Sequence, residues 1–240
     1  MQIVEFSKLM KEYGKEIHIQ FTEEQLKKFY QYMNLLIEWN EKINLTAIVE
    51  PKEIILKHFI DSLTILAYIE PNKKMIDIGT GAGFPGIPIK IMRDDVEVTL
   101  LDSLNKRINF LDMVIKELNL KNISTIHARI EDYGRDRKYR EKYDIVTSRA
   151  VANLTTLSEY MIPLVKIEGI SICMKGSEVE EEIKKSENAI KILGGEIEKI
   201  EKLVLPKSDN KRHLILIKKV RNTPLKYPRK PGMPSKEPLY

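Results

Sequence analysis

Apolar residues fall into two regimes along the chain. In residues 1–70 they recur at helical spacing: Leu26, Phe29, Tyr30, Met33, Leu36 and Ile37 follow Thr22-Glu23-Glu24-Gln25, a string that reads as a capping box. This predicts a helix over about 22–39. A second helix is expected from Pro51, a residue suited to a first helical turn, with Ile55, Phe59, Leu63 and Leu66 as its apolar stripe. From Lys74 onward, short apolar runs alternate with helical stretches, the signature of βαβ units and a mainly parallel sheet. Strands are expected at 75–78, 96–101, 123–128, 143–147, 170–174 and 214–220, with helices at 86–92, 106–118, 154–164 and 178–193. Ser177-Glu178-Val179-Glu180 reads as a second capping box. Prolines 224, 228, 231 and 234 argue against a helix after Val220, so 222–240 is expected to be an extended basic tail. The expected organisation is a helical segment 1–70, an α/β domain 71–221 and the tail 222–240.

Composition sharpens this in three ways. With 240 residues, 42% of them hydrophobic, the chain can bury a substantial core. The charged start Met1-Gln2-Ile3-Val4-Glu5-Phe6-Ser7-Lys8 does not read as a signal peptide and no run is long enough to span a membrane, so a cytoplasmic protein is expected. Cys173 is the single cysteine, and the histidines at 18, 58, 127 and 213 lie too far apart for a ligand pair, so no metal is expected. The net charge of +5 is unevenly spread: ten Lys and Arg lie between Lys207 and Lys236 against Asp209 alone. That asymmetry suits a polyanionic partner, and equally a solvated basic tail.

Candidate chemistry centres on the first strand. Met75-Ile76-Asp77-Ile78 runs into Gly79-Thr80-Gly81-Ala82-Gly83-Phe84-Pro85-Gly86 and then an apolar helix, a strand, glycine-rich turn and helix suited to a nucleotide at the carboxyl end of a parallel sheet. Gly81-x-Gly83-x-x-Gly86 satisfies a dinucleotide fingerprint. Against that reading, the turn begins one glycine earlier, as Asp77-x-Gly79-x-Gly81-x-Gly83, and Pro85 interrupts the helix start that would offer amides to a pyrophosphate. The earlier spacing resembles the first motif of S-adenosylmethionine-dependent methyltransferases. Asp102, 19 residues after Gly83, is placed to accept ribose hydroxyls, a need common to NAD and S-adenosylmethionine; it also suits a helix N-cap. Glu131 and Asp132 follow the third strand, where a methyltransferase contacts adenine, or else sit in an exposed loop.

Several uncommon strings, in order over nearly the whole chain, resemble the bacterial 16S ribosomal RNA guanine-N7 methyltransferase family (RsmG, glucose-inhibited division protein B). They are Trp39-Asn40-x-x-x-Asn44-Leu45-Thr46-Ala47, His58-Phe59-Ile60-Asp61-Ser62-Leu63, Asp77 to Gly86, Ser148-Arg149-Ala150-Val151-Ala152, Lys175-Gly176 and Tyr227-Pro228-Arg229-Lys230-Pro231-Gly232. The resemblance implies an α/β, Rossmann-like S-adenosylmethionine methyltransferase sheet, mainly parallel with one antiparallel strand. It maps Gly79, Phe84, Ile130, Glu131 and Arg149 onto cofactor contacts and Asp102 onto the ribose carboxylate, with S-adenosyl-L-methionine as cofactor. It also implies a target guanine in the decoding-centre loop, so the partner is 16S ribosomal RNA or the small ribosomal subunit particle; the oligomeric state is left open, with a monomer favoured.

No catalytic residue is assigned, which suits the chemistry: guanine N7 already carries a lone pair, so methyl transfer needs positioning more than proton transfer. Cys173, within an apolar strand, reads as a core thiol and not as a nucleophile, and the chain has no Pro-Pro of the kind found in amino-methylating enzymes. Arg149 is expected at the site, or else paired with Asp102, Glu131 or Asp144. His58 and Asp61 are expected to pair with each other and anchor the N-terminal helices. Lys175, Arg212, His213, Lys226, Tyr227, Arg229 and Lys230 are the RNA candidates, and the tail is expected to order on binding, so that its loss weakens RNA methylation and spares cofactor affinity. A nicotinamide-dependent oxidoreductase and a non-catalytic RNA-binding protein are the alternative readings.

Overall fold

The structure, a computed structural model, describes residues 1–149 and 152–239. Ala150 and Val151 of the Ser148–Ala152 string lie outside the described residues. The chain begins with α1 (Ile3–Glu16), which buries Phe6, Met10 and Gly14, and α2 (Glu23–Ile43), whose cap at Thr22 makes both bonds of the expected capping box. α2 ends at Asn44, which takes a left-handed φ of 48°. A helical stretch then runs through α3 (Pro51–Ile54), a widened π segment (Ile55–Ile60) and α4 (Asp61–Leu63), followed by a single 3-10 turn (Leu66–Tyr68).

Seven strands form one sheet: β1 (Lys74–Ile78), β2 (Glu97–Asp102), β3 (Ile123–His127), β4 (Tyr143–Arg149), β5 (Val165–Lys175), β6 (Gly195–Val204) and β7 (Lys211–Lys219). Their order is β3-β2-β1-β4-β5-β7-β6. The first five are parallel, and β7 runs antiparallel to both of its neighbours. Between them lie α5 (Gly86–Met92), α6 (Asn105–Glu117), α7 (Ile130–Arg135), α8 (Leu154–Met161) with a 3-10 turn (Ile162–Leu164), and α9 (Glu180–Leu193). One apolar core joins the N-terminal helices, α5 and α6 to one face of the sheet; a second joins α8 and α9 to the other. The chain leaves β1 toward β2 and β3 and returns to β4 on the opposite side of β1. Such a switch point opens a crevice at the carboxyl ends of β1 and β4, where Gly79 and Arg149 lie.

Three expectations need correction. β6 has no counterpart among the expected strands; a register shift between Ile197 and Lys199 places a bulge there, which hides the two-residue alternation. Its charged residues suit a sheet edge. The cap expected at Ser177–Glu180 is absent: α9 starts at Glu180, and the preceding Val179 accepts no side-chain bond. The segment after Val220 is irregular, as its prolines require, but it does not trail into solvent. Tyr227 and Pro234 are buried, and α10 (Met233–Lys236) forms a short turn with Pro234 in its first turn, the one place where a helix tolerates proline.

Candidate active site

The glycine turn carries the backbone into left-handed space three times, with φ of 63° at Gly79, 62° at Gly81 and 102° at Gly83. A Cβ on Gly83 would sit 2.6 Å from the Ile87 side chain and 2.8 Å from the Tyr32 hydroxyl. One on Gly81 would meet nothing within 4 Å. Gly83 thus allows close packing, whereas Gly81 leaves room on the cavity wall. The turn is held from both sides: Tyr32 of α2 donates its hydroxyl to the Ala82 carbonyl, and Asp77 Oδ2 accepts from Thr80 Oγ1 at 2.6 Å and from the Gly86 N–H at 2.9 Å. Asp77 is fully buried and its Oδ1 has no partner among the described residues. Burial raises its carboxyl to about 7, against the lowering effect of those hydrogen bonds and of the Arg149 charge.

Around this turn lies a cavity of about 720 Å³, a size suited to a small-molecule cofactor. Gly79, Phe84, Asp102, Ile130, Glu131 and Arg149, expected as cofactor contacts, all line it. Asp102, buried at the end of β2, accepts the Gly81 N–H on Oδ2 and the Leu104 N–H on Oδ1, both at 2.9 Å. Its remaining partner, half-exposed Arg107, stands 3.2 Å away. A carboxylate has about four acceptor sites, so a ribose hydroxyl can be added or can displace Arg107. The open space at Gly81 and this spare acceptor capacity fit an adenosine-bearing cofactor. Glu131 accepts the Gly232 N–H on Oε1 at 2.9 Å.

Arg149 corrects the expected pairings. Its partner is none of Asp102, Glu131 or Asp144. It donates to the Lys57 carbonyl at 2.7 Å and to His58 Nδ1 at 3.0 Å, lies 3.5 Å from Asp61 Oδ2, and covers the Phe84 ring at 4.9 Å. His58 and Asp61 do not pair with each other; Arg149 joins them. His58 stacks on Phe84 at 4.4 Å and lines the cavity with Thr46 and Leu45. Asp61 also receives Arg212 Nε at 3.1 Å to each oxygen, so two guanidinium groups share one buried carboxylate.

The RNA candidates divide. Lys226 and Lys230 are exposed. Arg212 is tied to Asp61 near the cavity, Lys175 pairs with Glu182 at 2.7 Å, and Arg229 is bound to Glu159. His213 and Tyr227 are buried, the former donating Nδ1–H to the Gly176 carbonyl at 2.7 Å, which removes the Tyr227 ring from base stacking. Tyr160 and Ser235, which no sequence signal marks, also line the cavity and hydrogen-bond to each other at 3.0 Å.

A five-stranded parallel sheet closed by an antiparallel pair, with a glycine turn and an acidic residue ending β2, defines the class: the Rossmann-like fold of S-adenosylmethionine methyltransferases. Solved structures of this fold align accordingly. A SAM-dependent methyltransferase from Aquifex aeolicus matches with a TM-score of 0.52 and 14% identity over 70% of this chain and 93% of its own. A putative S-adenosyl-L-methionine-dependent methyltransferase from Methanococcus maripaludis matches at 0.52 and 16%, over 79% and 93%. The chain belongs to the GidB family, rRNA small subunit methyltransferase G, whose profile matches residues 25–215. It is 56% identical to the ribosomal RNA small subunit methyltransferase G of Desulforamulus reducens, over 96% of this chain and 97% of that one. The protein of the same name from Clostridium botulinum strain 657 is 54% identical over 98% and 100%.

Proposed function

We propose that the protein transfers a methyl group from S-adenosylmethionine to N7 of a guanine in the decoding-centre loop of 16S ribosomal RNA, acting in the cytoplasm on the RNA or the small subunit particle. One observation carries this beyond family membership: six positions spread from Gly79 to Arg149 converge on one cavity. Gly79, Phe84, Asp102, Ile130, Glu131 and Arg149 would hold the cofactor, which supplies an electrophilic methyl on a sulfonium. The protein's own contribution is placement. Asp102 would fix the nucleoside, and Phe84, stacked with His58 and covered by the Arg149 guanidinium, lines the cavity beside it. No proton needs to leave N7, and His58 fits that chemistry: burial, then the Arg149 charge, push it down to about 3, so it stays neutral. Exposed Lys226 and Lys230, with Arg212, would contact phosphates.

The test is transfer of labelled methyl from S-adenosylmethionine to 16S RNA and to small subunit particles from a strain lacking the protein, with the product nucleoside identified by mass spectrometry. A single 7-methylguanosine supports the reading. Cofactor binding with no methylation of any ribosomal RNA form would leave the fold and remove the substrate.

A further inference from the structure

Hydrogen-bond polarity around His58 is set by its neighbours. Arg149 carries only donors, so the 3.0 Å contact requires His58 Nδ1 to accept. The neutral ring therefore carries its one proton on Nε2. Nε2–H donates to Thr46 Oγ1 at 2.9 Å, and the same oxygen accepts the Ile48 N–H at 3.0 Å. Both lone pairs of the hydroxyl are then used, while its own proton has no acceptor among the described residues. The Thr46 backbone is pinned as well, since Asn40 Oδ1 accepts its N–H at 2.7 Å. Thr46 lies on the cavity wall with His58, Phe84 and Arg149. At this point the protein presents a hydroxyl that can donate and cannot accept. The Asn40 to Thr46 string, otherwise without a role, is the local device that presents it.

We propose that Thr46 determines base specificity, donating its hydroxyl proton to O6 of the target guanine and leaving the adjacent N7 free to take the methyl group. This rests on the guanine reading above. Along this purine edge guanine offers N7 and O6 as acceptors, whereas adenine offers N7 as acceptor and its N6 amino group as donor. A hydroxyl with both lone pairs occupied satisfies O6, but it sets donor against donor at N6. The Arg149 to His58 contact maintains that state, because the other imidazole tautomer would draw the Thr46 proton into the ring.

The experiment uses small subunit particles assembled on ligated 16S RNA that carries either guanosine or 2-aminopurine riboside at the target. The latter keeps N7 and lacks O6. Single-turnover methylation is measured for wild type, Thr46→Ser and Thr46→Val, with cofactor affinity measured in parallel. Wild type and Thr46→Ser are expected to prefer guanosine by about tenfold, the worth of one hydrogen bond in a dry site, and Thr46→Val to treat both alike with cofactor affinity unchanged. Equal wild-type rates on the two particles overturn the proposal without reference to any variant. Retention of the preference by Thr46→Val overturns it too, as does loss of cofactor affinity in its place, which would assign the hydroxyl to the cofactor. Absence of 7-methylguanosine on the guanosine particle would remove the guanine reading itself, and the proposal with it.

Discussion

Arg229 closes on the buried carboxylate of Glu159 in a forked contact, Nη2 to Oε2 at 2.7 Å and Nε to Oε1 at 3.0 Å, while the Arg229 N–H donates to the same Oε1 at 2.7 Å. The segment that charge alone marks as an RNA-binding tail is thereby fastened to α8. Arg140 adds to the fastening: its buried guanidinium, with no carboxylate partner among the described residues, donates to the carbonyls of Thr223, Pro224 and Tyr227. Farther along, Gly232 meets Glu131 and Ser235 reaches the cavity wall.

Truncation at residue 222 is therefore expected to harm both stability and cofactor binding, contrary to the expectation drawn from composition. Arg229→Met isolates one link. It strands a Glu159 carboxylate only 1% exposed, and loss of one partner of such a pair costs about 3 kcal/mol. Denaturant unfolding and calorimetric titration with S-adenosylmethionine check both. Unaltered unfolding in Arg229→Met would mean that the fork is incidental.

Much of the sheet was legible because the central parallel strands β1, β2 and β4 are mostly buried and read as apolar runs. β6 was not, since its bulge and charged outer positions erase the alternation on which recognition depends. α1 falls inside the expected helical segment 1–70, and its stripe of Phe6, Leu9, Met10 and Tyr13 carries the helical spacing. At the site, the glycine turn and Asp102 are local signals and were readable. The partner of Arg149 was not: the arginine bonds the Lys57 carbonyl and His58 Nδ1 and reaches Asp61, 88 residues away in the chain. Contacts of this kind depend on how the N-terminal helical stretch packs beside the end of β4, and no local pattern records that.

Gly81 and Gly83, equally glycine in the motif, are expected to respond differently to alanine. Both hold positive φ, a strain of about 1 kcal/mol or more for any other residue. Gly83→Ala adds a collision with Ile87 and the Tyr32 hydroxyl inside the core and should show mainly as lost stability. Gly81→Ala meets no protein atom and should show mainly as weaker cofactor binding. Thermal unfolding with and without S-adenosylmethionine separates the two; identical profiles would sink the distinction.

Two buried groups give opposite pH dependences. Asp77, raised from 3.8 to about 7, is protonated in the folded state and ionised in the unfolded chain between those values. Its contribution is fully present below its unfolded value and is lost as pH rises through 7. His58, lowered from 6.5 to about 3, is neutral when folded and charged when unfolded between those values, so its contribution is present above 6.5 and lost as pH falls toward 3. Each slope reaches about 1.4 kcal/mol per pH unit in its window, and over most of the range they oppose one another. Relative to wild type, Asp77→Asn should gain stability as pH rises from about 4.5 to 6.5, and His58→Gln should lose it. Urea unfolding across that range is the measurement, and parallel curves for all three proteins would refute both assignments.

The carboxylate of Asp61 serves two arginines unequally. Arg212 Nε lies 3.1 Å from both oxygens, whereas Arg149 stands at 3.5 Å and has independent ties to the Lys57 carbonyl and to His58. Without Asp61, Arg149 thus keeps two partners from the N-terminal helical stretch, whereas Arg212 keeps the carbonyl of its own neighbour Lys211. In double-mutant cycles with Asp61→Asn, the coupling to Arg212→Gln is expected to exceed that to Arg149→Gln by about 1 kcal/mol, within the usual span for charges in direct contact. Both arginines are largely buried, so Asp61→Asn alone should be strongly destabilising, because it leaves two cations without their shared anion. Removing Arg212 in that background should restore part of the loss. An equal or larger coupling to Arg149 would instead place the carboxylate's main attachment at the cavity, making Asp61 the anchor of the cofactor wall.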